Sequence, residues 1–392
     1  MISILSGIII IDMSRLLPGP LGTQVLADLG ADVLKIEEVN GGDYIRWIEP
    51  LGKQDSGNFL ALNRNKRSMK LDLRQEAGKE ILRKLVSQAD VLVEQFRPGV
   101  LEKLGFSYDT LHELNPRLVI CSISGFGQSG PDSQKAGHDI NYLSRIGFLD
   151  LNGKMGGEPV IPATQIADIG GGSLWTALSI LAALFDREKT GKGRVIDLSL
   201  TDAVFTFMSV LVGAYDMDGK LPERGADLLT GGYAWYYVYP TKDDRYLALG
   251  MLEMRFWEIF CKAIEKPEYI ALHDGGEEVQ AKLKEELGAM FLSKTAGEWM
   301  EMLDPLDVCI SRVNTLAEAL ADAQLKARNM VVEIEHPIEG LRRSVALPLK
   351  FSGEDFSVHM PPPQFGEHTD AVLASLNYSP EEIQALHSAK VV

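Results

Sequence analysis

The sequence predicts an α/β protein. A large Rossmann-like domain on a parallel sheet carries a smaller inserted α+β domain. Three observations lead there. Short apolar runs alternate with segments of helical spacing through the first half, the pattern of strands joined by crossover helices. At 392 residues the chain is longer than one hydrophobic core usually serves, so two domains are the default. After Gly219 the texture changes to a polar linker, an aromatic hairpin and further helices.

The elements follow in order. Residues 8–11 form a continuous apolar run that meets Asp12 at once, with no basic stretch before it, so they read as a first strand rather than a signal peptide. Helical spacing over 20–29 ends at Gly30, and strands follow at 33–36, 69–73, 91–93 and 118–122, with a helix at 76–85. A helix over 171–185 leads through Thr190-Gly191-Lys192-Gly193 to a strand at 195–199 and an apolar helix at 203–215. The charge-free run between Asp168 and Asp186 approaches membrane-spanning length. It opens with three glycines and is expected to be a buried helix. Residues 222–232 form the linker, 233–239 and 246–251 pair as a hairpin, and 256–264 and 279–291 are helices. Strands are expected at 331–334 and 345–349, and Pro361-Pro362-Pro363 stops the chain before a last helical stretch. The domains are then 1–224 with 326–392, and 225–325.

Lys+Arg 39 against Asp+Glu 55 leaves a net charge of -16, which argues against nucleic-acid and anionic-membrane partners. Three dispersed cysteines without C-x-x-C, and histidines never spaced H-x-x-x-H, indicate no metal site and no disulfide framework. A reducing cytoplasmic setting is expected.

His138 and Asp168 are the candidate chemistry. His138 stands in Gly137-His138-Asp139-Ile140-Asn141-Tyr142, after a loop, and Asp168 precedes Gly170-Gly171-Gly172. A neutral base and a carboxylate together can serve two opposed faces of one carbon. Asp168 is well placed to cap the glycine-rich helix, whose free N–H groups would stabilise a nearby enolate oxygen. Gly125-Phe126-Gly127-Gln128-Ser129-Gly130 matches G-x-G-x-x-G, but Pro131 continues as loop instead of opening a helix, so dinucleotide binding is not supported. The glycines are expected to let backbone lie close to another ligand. Asn63 to Arg67 and Arg97-Pro98-Gly99 are basic points at strand ends, suited to phosphate.

These residues carry a resemblance over nearly the whole length. Pro18-Gly19-Pro20, Val25 to Ala31, Lys66-Arg67-Ser68, Leu71-Asp72-Leu73, Arg97 to Val100, Ser124 to Gly130, Gly137 to Leu143, Ala167-Asp168 and Gly366 to Thr369 are similar to the family III CoA-transferases of the CaiB/BaiF type. Within that family the chain most resembles the α-methylacyl-CoA racemases. The resemblance implies an interlocked homodimer that acts on an acyl-CoA, with CoA as part of the substrate and no tightly bound cofactor. It implies inversion of the α-carbon of a 2-methyl-branched acyl-CoA, with His138 and Asp168 as the two bases and Glu253 orienting His138. The transferase branch instead uses the aspartate at position 168 as a nucleophile that forms an aspartyl-CoA thioester. For CoA the resemblance offers Lys66, Arg67, Leu71, Asp72, Leu73, Arg74, Arg97, Gly127, Gly137, Asp139, Ile140, Asn141 and Tyr142. Glu38 stands where those racemases carry a CoA-contacting arginine, and Lys35 is the cation offered in its place. The segment 41–63 is longer than in those racemases and closer to that of the transferases.

Overall fold

The computed structural model describes residues 2–392, and the chain divides into two compact units. The larger comprises the stretch up to Ile146, Ala163–Met208 and Gln324–Val392, and the smaller comprises Gly147–Pro162 and Ser209–Ala323. The smaller unit thus contains 225–323 of the expected 225–325 and adds Gly147–Pro162 and 209–224. Residues 150–160 pack with the linker, where Arg224 Nη2 pairs with Asp150 at 3.0 Å.

The larger unit is built on six parallel strands: β1 (Ile9–Met13), β2 (Asp32–Glu37), β3 (Lys66–Lys70), β4 (Val91–Glu94), β5 (Val119–Ser124) and β6 (Val195–Ser199). Their order is β3-β2-β1-β4-β5-β6, so the chain reverses its direction of travel between β1 and β4. Ligand crevices in such sheets open at the carboxyl ends of the strands, around that reversal. Strands buried on both faces read as apolar runs, which is why β1, β4 and β5 are visible in the sequence. Ile11, Leu34, Met69, Leu92 and Ile120 join Ile81, Leu82 and Val86 of the helix Glu76–Gln88 in one core, closed by Val372 and Leu373 of the helix Thr369–Ser375. Each such side chain contributes about 1.5–3 kcal/mol of burial. β3 begins three residues before the expected 69–73, because its first residue, Lys66, is fully buried in an ion pair and breaks the apolar pattern.

β10 (Val331–His336) and β11 (Gly340–Val345) form an antiparallel hairpin in the same unit. The expected strand at 345–349 therefore ends where it was to begin. The helix expected over 171–185 runs further, from a wide π-helical stretch Ala167–Ser173 into Leu174–Thr190. Only one face of it is buried, through Thr176, Ala177, Ile180 and Leu184, while Leu174, Leu178 and Phe185 are more than half exposed. Two helical stretches, Ala167–Thr190 and Leu200–Asp218, are long and apolar enough to cross a membrane by length and composition.

The smaller unit holds a three-stranded antiparallel sheet of β7 (Tyr236–Pro240), β8 (Tyr246–Gly250) and β9 (Ile310–Arg312). Tyr239 and Leu247 pack on Trp257, Phe260 and Phe291 from the helices Met254–Ala263 and Glu277–Phe291.

Candidate active site

His138 is the N-cap residue of the helix Asp139–Arg145. Its backbone N–H donates to Asn141 Oδ1 at 3.0 Å, which fixes the turn and leaves the imidazole exposed. The next residue, Asp139, points back across the fold. Its Oδ1 accepts from the N–H of Ala167 at 2.7 Å and of Asp168 at 3.0 Å. One carboxylate therefore caps the helix that carries Asp168, on behalf of the residue expected to cap it. Asp168 lies inside the first helical turn, half-buried. Burial, and then the charge of Asp139, raise its carboxyl to about 7. Burial and the same two carboxylates push the Tyr142 phenol up to about 12. Tyr44, on the short helix Tyr44–Trp47, also lies in the field of Asp168, with the Arg15 guanidinium 5.8 Å from its ring centroid.

The glycines after Asp168 serve close packing. A Cβ at Gly172 would stand 2.6 Å from Pro18 Cβ and 2.7 Å from Leu200 Cδ2, and one at Gly170 would stand 2.8 Å from the Phe207 ring. The widened turn is thereby pressed between the helices Pro18–Asp28 and Leu200–Phe205. Wide turns of this kind recur at functional sites.

The glycine-rich loop is also internally accounted for. Gly125 and Gly137 flank the Tyr142 ring, whose hydroxyl donates to Gly137 O at 2.6 Å, and Phe126 meets that ring edge-on. Gly127 takes a positive φ of 83°, and the following Gln128 N–H is held by both Asp197 carboxylate oxygens at 3.0 and 3.1 Å. The amides of Ala167 and Asp168 at the helix start, expected to meet an enolate oxygen, are therefore already occupied, as is that of Gln128 in the loop.

Leu71, Asp72, Leu73 and Arg74 line a cavity of about 240 Å3 at the carboxyl ends of β1 to β3, closed by Phe96 and Leu104. Asp72 holds Arg74 Nε at 2.8 Å, and Arg74 Nη2 pairs with Glu38 at 2.7 Å. Glu38 thus anchors an arginine that stands at the mouth of this cavity. Arg97 is exposed after β4, beside a separate cavity of about 300 Å3 lined by Glu94, Tyr108 and Gln128. Arg67 pairs with Asp32 at 2.7 Å at the edge of the sheet. Ile140 is 38% exposed.

Two of the expected CoA cations are not free to meet a phosphate. Lys35 is fully buried, with Nζ 3.0 Å from Asp43 and donating to Ser14 O at 2.8 Å. Lys66 is equally buried, with Nζ held by Asp12, Pro20 O and Asn63 Oδ1. Burial opposes ionisation of Asp12, but Lys66, Lys35 and two hydroxyls outweigh it and hold this carboxyl at about 2. Arg46 extends the network with Glu37 at 2.7 Å and Asp55 at 2.6 Å. These ammonium groups hold the sheet end together.

Glu253 lies in the smaller unit, exposed at the N-cap of the helix Met254–Ala263. Sequence reasoning missed the capping role of the Asp139 side chain, and Arg15 and Tyr44 altogether. The signal available for Asp139 was an acid in the first turn directly after a candidate base.

A family model described as CoA-transferase family III matches residues 5–369. The chain is 35% identical to the alpha-methylacyl-CoA racemase of Homo sapiens over 393 residues, 99% of this chain and 97% of that protein. It is 31% identical to the succinyl-CoA:glutarate CoA-transferase of Homo sapiens over 400 residues, 99% of this chain and 90% of that one. Among solved structures, a CAIB/BAIF family protein from Brucella suis superimposes with a TM-score of 0.84 at 32% identity, covering 95% of this chain and 99% of that one.

Proposed function

Because the chain belongs to CoA-transferase family III, we propose that it inverts the α-carbon of 2-methyl-branched acyl-CoA thioesters by two-base proton transfer. One observation carries this reading. Asp139 ties His138 and Asp168 to one short piece of structure, and Asp168 is held near neutrality. A carboxyl at about 7 is populated in both forms at working pH, so it can take a proton from one face and return it. The imidazole of His138 serves the other face. A thioester makes the chemistry accessible, since its carbonyl delocalises the enolate better than a carboxylate does. The CoA handle supplies binding energy remote from the reacting carbon. The wall Leu71–Arg74 and the exposed Arg97 are the groups we assign to that handle.

CoA transfer through an aspartyl thioester at Asp168 is the second reading. The 31% identity to a CoA-transferase, similar to the figure for the racemase, supports it. We also propose that the chain works as a homodimer. Leu174, Leu178 and Phe185 line an exposed apolar face in the larger unit, and the helix Ser209–Asp218 in the smaller unit buries none of its residues.

Incubation with a single-epimer 2-methylacyl-CoA in deuterated water, with and without succinate, separates the readings. Label at the α-carbon and both epimers without succinate support inversion. CoA appearing on succinate without label overturns it.

A further inference from the structure

Glu94 ends β4 with a buried carboxyl that the chemistry above does not use. It is paired in register with Ser122 of β5, two residues on from the pair Leu92 and Ile120. Side chains alternate along a strand, so both stand on the face that sends Leu92 and Ile120 into the core. Two polar side chains thus close an apolar row at the carboxyl end of the sheet. The Ser122 hydroxyl donates to Glu94 Oε1, and Glu94 Oε2 accepts the Phe96 N–H at 2.8 Å. Tyr108, on the helix Tyr108–Leu114, bonds the same pair. Among the described residues no cation bears on this carboxyl, and burial pushes it up. Such a group costs stability where an apolar residue would not.

The pair joins two loops that the proposed reaction uses separately. On one side, Phe96 closes the cavity walled by Leu71–Arg74, and Arg97 follows it in the chain. On the other, Gln128 Nε2 donates to Ser122 Oγ at 2.8 Å. Gln128 belongs to the glycine-rich loop, whose Gly125 and Phe126 lie against the Tyr142 ring. Tyr142 in turn holds the carbonyl of Gly137, the residue before His138, at 2.6 Å. The middle of this connection lies out of water, where a hydrogen bond is stronger. Another tie between the loops, Gln134 Nε2 to Pro98 O at 3.2 Å, is exposed to competing water.

We propose that Glu94 is a positioning residue, which through Ser122 fixes the loop that leads to His138 against the loop that meets the CoA handle. The proposal rests on the inversion reading and on the handle groups assigned there. Binding energy remote from the reacting carbon raises kcat only where a rigid part carries it to the catalytic group. The Glu94–Ser122 pair is such a part, because it spans adjacent strands of the sheet.

Two measurements on the full-length protein test it. The first compares kcat for α-deuterium exchange on a 2-methylacyl-CoA with that on the N-acetylcysteamine ester of the same acid, which lacks the handle. The parent should be faster on the CoA ester. Ser122→Ala, or Gln128→Met if that variant fails to fold, should lower kcat on the CoA ester by about tenfold or more and leave the truncated ester unchanged. Glu94→Gln can still accept the Phe96 N–H and bond Ser122, so it should keep the parent's ratio, whereas Glu94→Ala should lose it. The second measurement follows the His138 imidazole by NMR, identified by its loss in His138→Ala, as phosphoadenosine diphosphate is added. This nucleotide end of CoA lacks the pantetheine arm that leads to the reacting carbon. Its binding should move the His138 signal in the parent and not in Ser122→Ala, at equal affinity. The proposal is overturned by equal kcat on the two esters in the parent, by cuts that slow both esters alike, by a Glu94→Gln variant that loses the ratio, or by a His138 signal that behaves alike in parent and variant. Absence of exchange on either ester in the parent overturns the inversion reading instead, and the NMR comparison then decides the link on its own.

Discussion

The carboxylate of Asp139 holds the backbone N–H of Asp168 at 3.0 Å and that of Ala167 at 2.7 Å through a single oxygen. It does two things at once. It fixes the start of the helix that carries the buried carboxyl, and it places a negative charge where that carboxyl would ionise. Tyr142 and Tyr44 are the other titratable groups that face Asp168.

Asp139→Asn separates these roles. The amide oxygen still accepts both N–H groups, but the charge is gone. The Asp168 carboxyl should then fall below about 7, and the acid limb of the pH–rate profile should move to lower pH with Tm nearly unchanged. Asp139→Ala loses the cap as well, at about 0.5–2 kcal/mol of stability. An Asn variant with an unmoved profile would remove Asp139 from the ionisation of Asp168.

His138→Ala should cost at least about two orders of magnitude in inversion, the usual worth of a positioned base. Its ring is exposed, so Tm should barely change. A variant that keeps its activity but melts early would make this histidine a structural one.

Asp168→Asn should also abolish inversion, and its stability should depend on pH in a defined way. The folded carboxyl titrates at about 7 against an ordinary 3.8, so the folded state prefers the protonated form. Below about 3.8 this costs nothing. Between 3.8 and 7 the wild type loses stability as pH rises, and above 7 the loss is constant. The amide variant should therefore exceed the wild type by a few kcal/mol at pH 8, at about 1.4 kcal/mol per pH unit of displacement, and match it at pH 3.5. Denaturant melts at both pH values measure the difference.

Lys66→Met and Arg97→Ala should act in opposite ways. The first strands Asp12 in the core and should cost about 3–5 kcal/mol, with CoA-ester affinity intact in the folded fraction. The second should leave stability alone and weaken CoA-ester binding. Melts and equilibrium binding on both variants check the contrast.

Gly172→Ala forces a Cβ to 2.6 Å from Pro18 and should cost about 1–3 kcal/mol by overpacking. It should also lower turnover by displacing the turn that carries Asp168. A stable variant with full activity would show that the turn yields freely.

The fold class was legible because β1, β4, β5 and β6 are apolar runs or nearly so, and their bounds fall within a few residues of those expected. The order β3-β2-β1-β4-β5-β6 was not, since pairing joins segments with no local trace of each other. The strand led by Lys66 was misplaced for the reason that Lys66 and Lys35 were misassigned. A lysine reads as solvated until its partner is known, and Asp12 and Asp43 are brought to them only by the tertiary fold. His138 and Asp168 were legible as types in a motif. The bond from Asp139 that relates them spans 28 residues and has no sequence period.

Arg46 bonds Glu37 at the end of β2, Asp55, and the carbonyl of Pro363, and its guanidinium lies 3.5 Å over the Phe59 ring. It is the hub of segment 41–63, the stretch that brings Tyr44 into the field of Asp168. A segment pinned at so many distant points cannot swing aside on the timescale of a free loop. The amides held in this network, at Asp43 and Ser56, should exchange with solvent only when the neighbouring sheet opens. On the proposed function, capture of a substrate on the Tyr44 side would then be set by diffusion and charge rather than by a gate in this segment.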